Sequence, residues 1–114
     1  MKKLDLAIKY EDLSRDQRQE IFFSFLEQLR EKRLVEQYEG RNGIRDWVER
    51  DGSKINFNGR QIRNIVSTAM GLARADGTNK LTREHLATVA RQTQEFQLDL
   101  QAQDVVYRHE HMRR

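Results

Sequence analysis

The 114-residue chain contains no cysteine and no proline, only six glycines and a single tryptophan. Without cysteine, neither a disulfide framework nor a cysteine-ligated zinc site can form, and an intracellular setting is the simpler expectation. Without proline, breaks between elements must be read from glycine and Asp-Gly pairs. No apolar run approaches the roughly 20 residues that span a bilayer as a helix. The start, Met1-Lys2-Lys3-Leu4-Asp5, lacks the apolar core of a signal peptide. These absences predict one ordinary soluble domain, long enough to bury a core without staples.

Charge is present in quantity but is unevenly placed. The net charge is +3, with 21 Lys/Arg against 18 Asp/Glu. Residues 1–40 carry eight basic against nine acidic side chains, residues 41–80 eight against four, and residues 81–114 five against five. The excess therefore lies in the middle third. A local basic patch on a balanced surface suits a small anion better than a long nucleic-acid backbone.

In chain order, Leu4-Asp5-Leu6-Ala7-Ile8-Lys9-Tyr10 alternates apolar and polar residues and predicts a short strand. No second strand of comparable quality follows, and Lys54-Ile55-Asn56-Phe57 is too short and polar to serve. Ser14-Arg15-Asp16-Gln17 has the form of a capping box. It opens a helix expected over residues 14–37, with Phe22, Phe25, Leu26 and Leu29 inward and Arg18, Glu27, Arg30 and Glu31 on other faces. A turn over residues 40–43 leads into a short helix from Ile44 to Arg50, which places Ile44, Trp47 and Val48 on one side and stops at Asp51-Gly52.

The most informative stretch is Asn58-Gly59-Arg60-Gln61-Ile62-Arg63-Asn64. Asn58 suits an N-cap, Gln61 holds the reciprocal position three residues on, and Gly59 lets the chain enter tightly. Arg60 and Arg63 then stand in the first turn, where the helix end is already partly positive and attracts anions. Guanidinium groups beside open backbone donors are what a phosphate requires. The helix continues with Ile62, Val66, Ala69 and Ala73 inward, flanked by Ile65, Met70 and Leu72. Gly71 in its middle costs about 1 kcal/mol relative to alanine and predicts a close neighbouring helix. Asp76-Gly77 ends it. Thr82 caps a last helix whose expected inward face is Leu86, Val89, Ala90, Thr93, Phe96 and Leu100. After Gln101 the pattern weakens, and a helical tail of residues 97–114 is expected to fray or to dock on a partner.

This order of elements resembles the small α-helical lid that follows the nucleotide-binding core in AAA+ ATPases, in particular the AAA-type ATPase-like proteins of fungi. The resemblance covers residues 4–95 and is most specific at residues 58–73 and at Leu81-Thr82. It implies a mainly α fold, a small four-helix bundle with one short N-terminal strand. Residues 1–12 would continue from a core absent from this chain, and residues 13–96 would form the lid. It also implies that the helix start is the sensor-2 position, where a lid arginine reaches the γ-phosphate of ATP. Arg60 matches that arginine, Arg63 is a second candidate, and Asn58 and Gly59 would shape the site. The implied cofactor is ATP, with magnesium held by the core, and the implied partners are the core and neighbouring subunits.

No Gly-x-x-x-x-Gly-Lys-Ser/Thr loop and no apolar strand ending in paired acidic residues occurs, so the chain alone is not expected to hydrolyse ATP. Of the histidines, His85 stands apart, and His109 and His111 fall on different sides of a helix, which argues against a metal site. Ser24, Ser53 and Ser67 have no evident His/Asp partners. Two other readings remain open: a basic helical nucleic-acid binder, disfavoured by the acidic first helix, and a protein-interaction module using the tail.

Overall fold

A computed structural model describes residues 13–112 of the chain. The strand expected over residues 4–10 lies outside the described residues. Within them the fold is four α-helices and one short 3-10 turn, with no β-strand: α1 (Arg15–Glu31), α2 (Ile44–Arg50), the turn Gly52–Lys54, α3 (Gly59–Ala75) and α4 (Arg83–Met112).

Helix α1 begins as its capping box predicts. The Gln17 N–H donates to Ser14 Oγ at 3.1 Å, and the Ser14 N–H donates to Gln17 Oε1 at 2.9 Å. It stops at Glu31, six residues before the expected end at Gln37. The Leu34 N–H returns to the Leu29 carbonyl at 2.9 Å and the Arg33 N–H to that of Arg30 at 2.9 Å. This paired closure satisfies the last carbonyls once the next residue turns left-handed, as Arg33 does at φ 61°. Glycine normally marks such a stop. Here arginine fills the position, so the helical pattern shows no break at the true boundary.

Residues 32–43 form an ordered loop rather than helix. Gln37 and Asn42 are also left-handed, at φ 54° and 67°. Leu34 to Glu36 lie beside Leu81: the Glu36 N–H donates to the Leu81 carbonyl at 2.9 Å and the Leu81 N–H to that of Leu34 at 2.7 Å. This single parallel bridge fastens the loop to the approach of α4. Gly43 closes the loop, because a Cβ there would stand 2.7–2.8 Å from the carbonyl oxygens of Glu39, Gln37 and Tyr38. Gly52 is equally constrained, since a Cβ would press the Trp47 ring at 2.7 Å.

The core is built where the four helices converge. Phe22, Leu26, Ile44, Val48, Ile62, Ile65, Ala69, Leu81 and Leu86 are fully buried, and Trp47 is nearly so. Phe22 meets Trp47 edge to face, with centroids 5.6 Å apart and planes at 89°, the geometry that aromatic quadrupoles favour. Phe57, in the segment judged too short and polar for a strand, forms no strand; it is 1% exposed and plugs the core just before α3.

Three expectations for the later helices change. Leu72 is exposed rather than flanking the core. Gly71 is also exposed, and a Cβ there would meet nothing within 4 Å, so no neighbouring helix among the described residues accounts for it. Phe96 and Leu100 are 64% and 50% exposed, not inward. Both border an open groove beside Gln61, Asn64 and Thr68 of α3 instead of packing into the core. With 30 residues against 17, α4 also outruns α3 by about 20 Å at about 1.5 Å per residue. Helix α4 is continuous across the boundary expected at 96/97.

A polar joint links α3 to α4. The Thr82 N–H donates to His85 Nδ1 at 3.0 Å while the His85 N–H faces Thr82 Oγ1 at 3.4 Å, a capping box with histidine in the usual glutamate place. A backbone N–H can only donate, so Nδ1 accepts and the ring proton sits on Nε2, 2.8 Å from Asp76 Oδ2. That contact, followed by those from the Thr78 backbone and side chain, lowers the Asp76 carboxyl from 3.8 to about 2.

Two outcomes follow. Gly71→Ala should raise stability by about 0.5–1 kcal/mol, read as a higher urea midpoint with unchanged slope, because nothing occupies the space of the added methyl. Asp76 titrates lower in the folded state, so its contribution is complete above the unfolded value of 3.8 and is lost as pH falls towards about 2. The stability gap between the wild type and Asp76→Asn should therefore be constant near neutrality and close across that acid window; a pH-independent gap would refute the assignment.

Candidate functional site

Arg18 lies on the apolar stripe of α1, four residues before Phe22 and eight before Leu26, and is 9% exposed. The sequence reading put it on another face. Its Nε donates to the Ser53 carbonyl at 2.8 Å, and its Nη1 donates to the Leu13 carbonyl at 2.6 Å and to Asn56 Oδ1 at 3.3 Å. Ser53 is fully buried, and its Oγ accepts from Arg15 Nε at 3.2 Å and Gln19 Nε2 at 3.3 Å. Arg15 also reaches the Glu49 carbonyl. Two backbone carbonyls and a side-chain amide oxygen thus accept from Arg18. The arrangement binds the start of α1 and the segment leading into α3 as one unit.

From that unit the chain enters α3 through Phe57 and Asn58. The expected capping box is present: the Gln61 N–H donates to Asn58 Oδ1 at 2.8 Å, and the Asn58 N–H donates to Gln61 Oε1 at 2.9 Å. The box uses the third donor of the helix and leaves the N–H groups of Gly59 and Arg60 open. No acidic residue occupies this first turn. Gly59 is right-handed, and a Cβ there would meet only Ile21 Cδ1 at 3.9 Å, an ordinary contact. Nothing within the described domain requires glycine there, contrary to the tight passage expected.

Arg60 and Arg63 are exposed. Neither forms an ion pair among the described residues, whereas Arg30, Arg45, Arg50 and Arg83 all do. The alternative of pairing with a neighbouring helix's carboxylates is therefore not realised here. The two arginines have different settings. Arg63 lines a groove of about 490 Å³ between α1 and α3, whereas Arg60 does not. Gln61 and Asn64 border a second groove, about 430 Å³, with Phe96 and Leu100 of α4.

Leu13, Ser53, Asn56 and Asn58 converge through Arg18 and the α3 cap, while antiparallel α4 brings Leu100 to Gln61. The start of the described chain and Arg60 therefore share one end of the bundle. Sequence periodicity showed the arginines and their cap but not this convergence. The position of Arg18 on the Phe22–Leu26 stripe was the available signal.

Of the histidines, His85 is committed to Asp76 and Thr82, and the side chains of His109 and His111 lie outside the description. Among the described residues no group of three or more His, Cys, Asp or Glu side chains could hold a metal ion, and no helix is long and apolar enough to cross a membrane. Ser53 serves as a buried acceptor with no acid–base partner.

No curated protein and no solved structure gives a significant match. A family model, the fungal AAA+ ATPase lid domain, matches residues 13–112. The match extends through α4, beyond the limit at residue 95 that the sequence resemblance suggested, and it begins where the described fold begins. A lid domain implies a nucleotide-binding core as its partner. The chain belongs to the family of fungal AAA+ ATPase lid domains.

Proposed function

We propose that this lid closes over ATP held by its core domain and that Arg60 is its sensor-2 arginine, reading the γ-phosphate. The observation that carries the proposal is a guanidinium with no ion pair among the described residues, in the first turn of a capped helix, at the end of the bundle where the described chain starts. A guanidinium can grip two phosphate oxygens at once, and the open N–H groups of Gly59 and Arg60 add donors of the same sign. An unbranched Gly59 leaves room for a phosphate to approach the backbone. Arg63, the second candidate, lines the α1–α3 groove and is not needed for this contact, and Asn58 fixes the turn from which Arg60 projects.

These groups fit an anion and offer no carboxylate for magnesium, which therefore falls to the core. ATP supplies the transferable phosphoryl group, and this domain binds and orients its terminal phosphate. A lid that holds the γ-phosphate is released when the phosphate departs, so nucleotide state becomes lid position and, through it, contact with neighbouring subunits. The nucleic-acid reading is weakened because Arg30, Arg45, Arg50 and Arg83 are already paired with carboxylates.

In the intact ATPase, Arg60→Ala should lower kcat by at least about tenfold, as expected for loss of a charge-stabilising contact to the transferred phosphate. In the isolated domain the same substitution, at an exposed site, should alter stability by no more than about 0.5 kcal/mol. Unchanged turnover in an intact, nucleotide-bound Arg60→Ala protein would overturn the sensor assignment.

A further inference from the structure

The groove between α1 and α3 is not explained by contact with nucleotide. Its walls include Phe25 and Leu29 from α1 and Val66 and Met70 from α3, with Arg63 and Arg74 contributing charge. Its remaining lining residues are Gln28 and Ser67; no carboxylate is among them. Arg74, like Arg63, is exposed and has no ion pair among the described residues. Eleven residues separate the two arginines, which at about 1.5 Å per residue places them about 16 Å apart, three helical turns. Gly71 falls four residues after Ser67 and three before Arg74, on the same outer side of α3. It lowers helix stability, and no atom among the described residues lies within 4 Å of the Cβ it would carry.

We propose that this groove is a docking site for an acidic amphipathic helix from a protein partner. Apolar residues of that helix would cover the half-buried Phe25 and Leu29 and reach the edges of Val66 and Met70, each only 4% exposed. Carboxylates three turns apart would pair with Arg63 and Arg74, and Ser67 and Gly71 would allow close backbone approach. The apolar wall favours a peptide over a nucleic acid, whose backbone would engage the charges and leave the floor uncovered. The inference does not depend on ATP binding by Arg60.

The test uses the 114-residue chain and a synthetic amphipathic helix bearing leucines along one stripe and two glutamates three turns apart. A matched peptide with lysines replacing the glutamates and a DNA duplex serve as comparators. The glutamate peptide should bind saturably and shift the methyl signals of Val66 and Met70. The lysine peptide, and the glutamate peptide offered to Arg74→Glu, should bind at least about tenfold more weakly. Gly71→Leu is the decisive variant: it should melt no lower than wild type yet lose affinity by a similar factor, separating obstruction from unfolding. The proposal is overturned by absent saturable binding, by equal binding of the lysine peptide, by full affinity in Gly71→Leu, or by DNA shifting the same methyls more tightly.

Discussion

The buried guanidinium of Arg18 is the contact on which the functional end of the bundle depends. An unpaired charge away from water is costly, and here it is offset by three oxygen acceptors drawn from two separate stretches of chain, Leu13 and residues 53–56. Because each acceptor belongs to irregular backbone or to a short side chain, the charge organises segments that have little regular structure of their own. Ser53 extends the arrangement by accepting from Arg15 and Gln19. The start of α3 therefore inherits its position from α1, and the direction in which Arg60 projects is set by contacts made before that helix begins.

The rest of the fold closes the opposite end by different means. There a single bridge between residues 34–36 and Leu81, together with the Asp76–His85–Thr82 joint, holds the long loop, the end of α3 and the beginning of α4. Between the two polar ends lies an apolar middle dominated by Phe22, Trp47, Ile62, Ile65 and Leu86. One end is fastened by backbone bridging and a histidine cap. The other is fastened by arginine donors and then presents two further arginines with no ion pair among the described residues.

Much of this was legible in the sequence because the relevant signals are local. Ser14 with Gln17 and Asn58 with Gln61 announce their caps at fixed spacing, and both boxes form. The apolar spacing of α2 and α3 likewise predicts Trp47, Ile62, Val66 and Ala69 in the core. What was not legible depended on tertiary geometry. Arg33 ends α1 in a conformation that glycine would have advertised. Arg18 looks like a surface residue until its acceptors arrive from residues 13, 53 and 56. Phe96 and Leu100 continue the inward spacing of α4 but border an open groove beside Gln61 and Asn64 of α3 instead of entering the core. The identities of Arg60 and Arg63 were readable, but their separation into different surroundings required the position of α1.

The unequal lengths of α3 and α4 have a mechanical consequence. Leu86, Val89 and Ala90 seat the first part of α4, and the helix then runs on to Met112 without a break. From Ala90 that rod extends about 33 Å at the usual helical rise. A tilt of the seated portion by about 10° would therefore sweep its far end through about 6 Å, a displacement larger than one helical turn. A small rotation at the core becomes a long stroke at the tip, so the domain has the proportions of a lever as well as those of a cover.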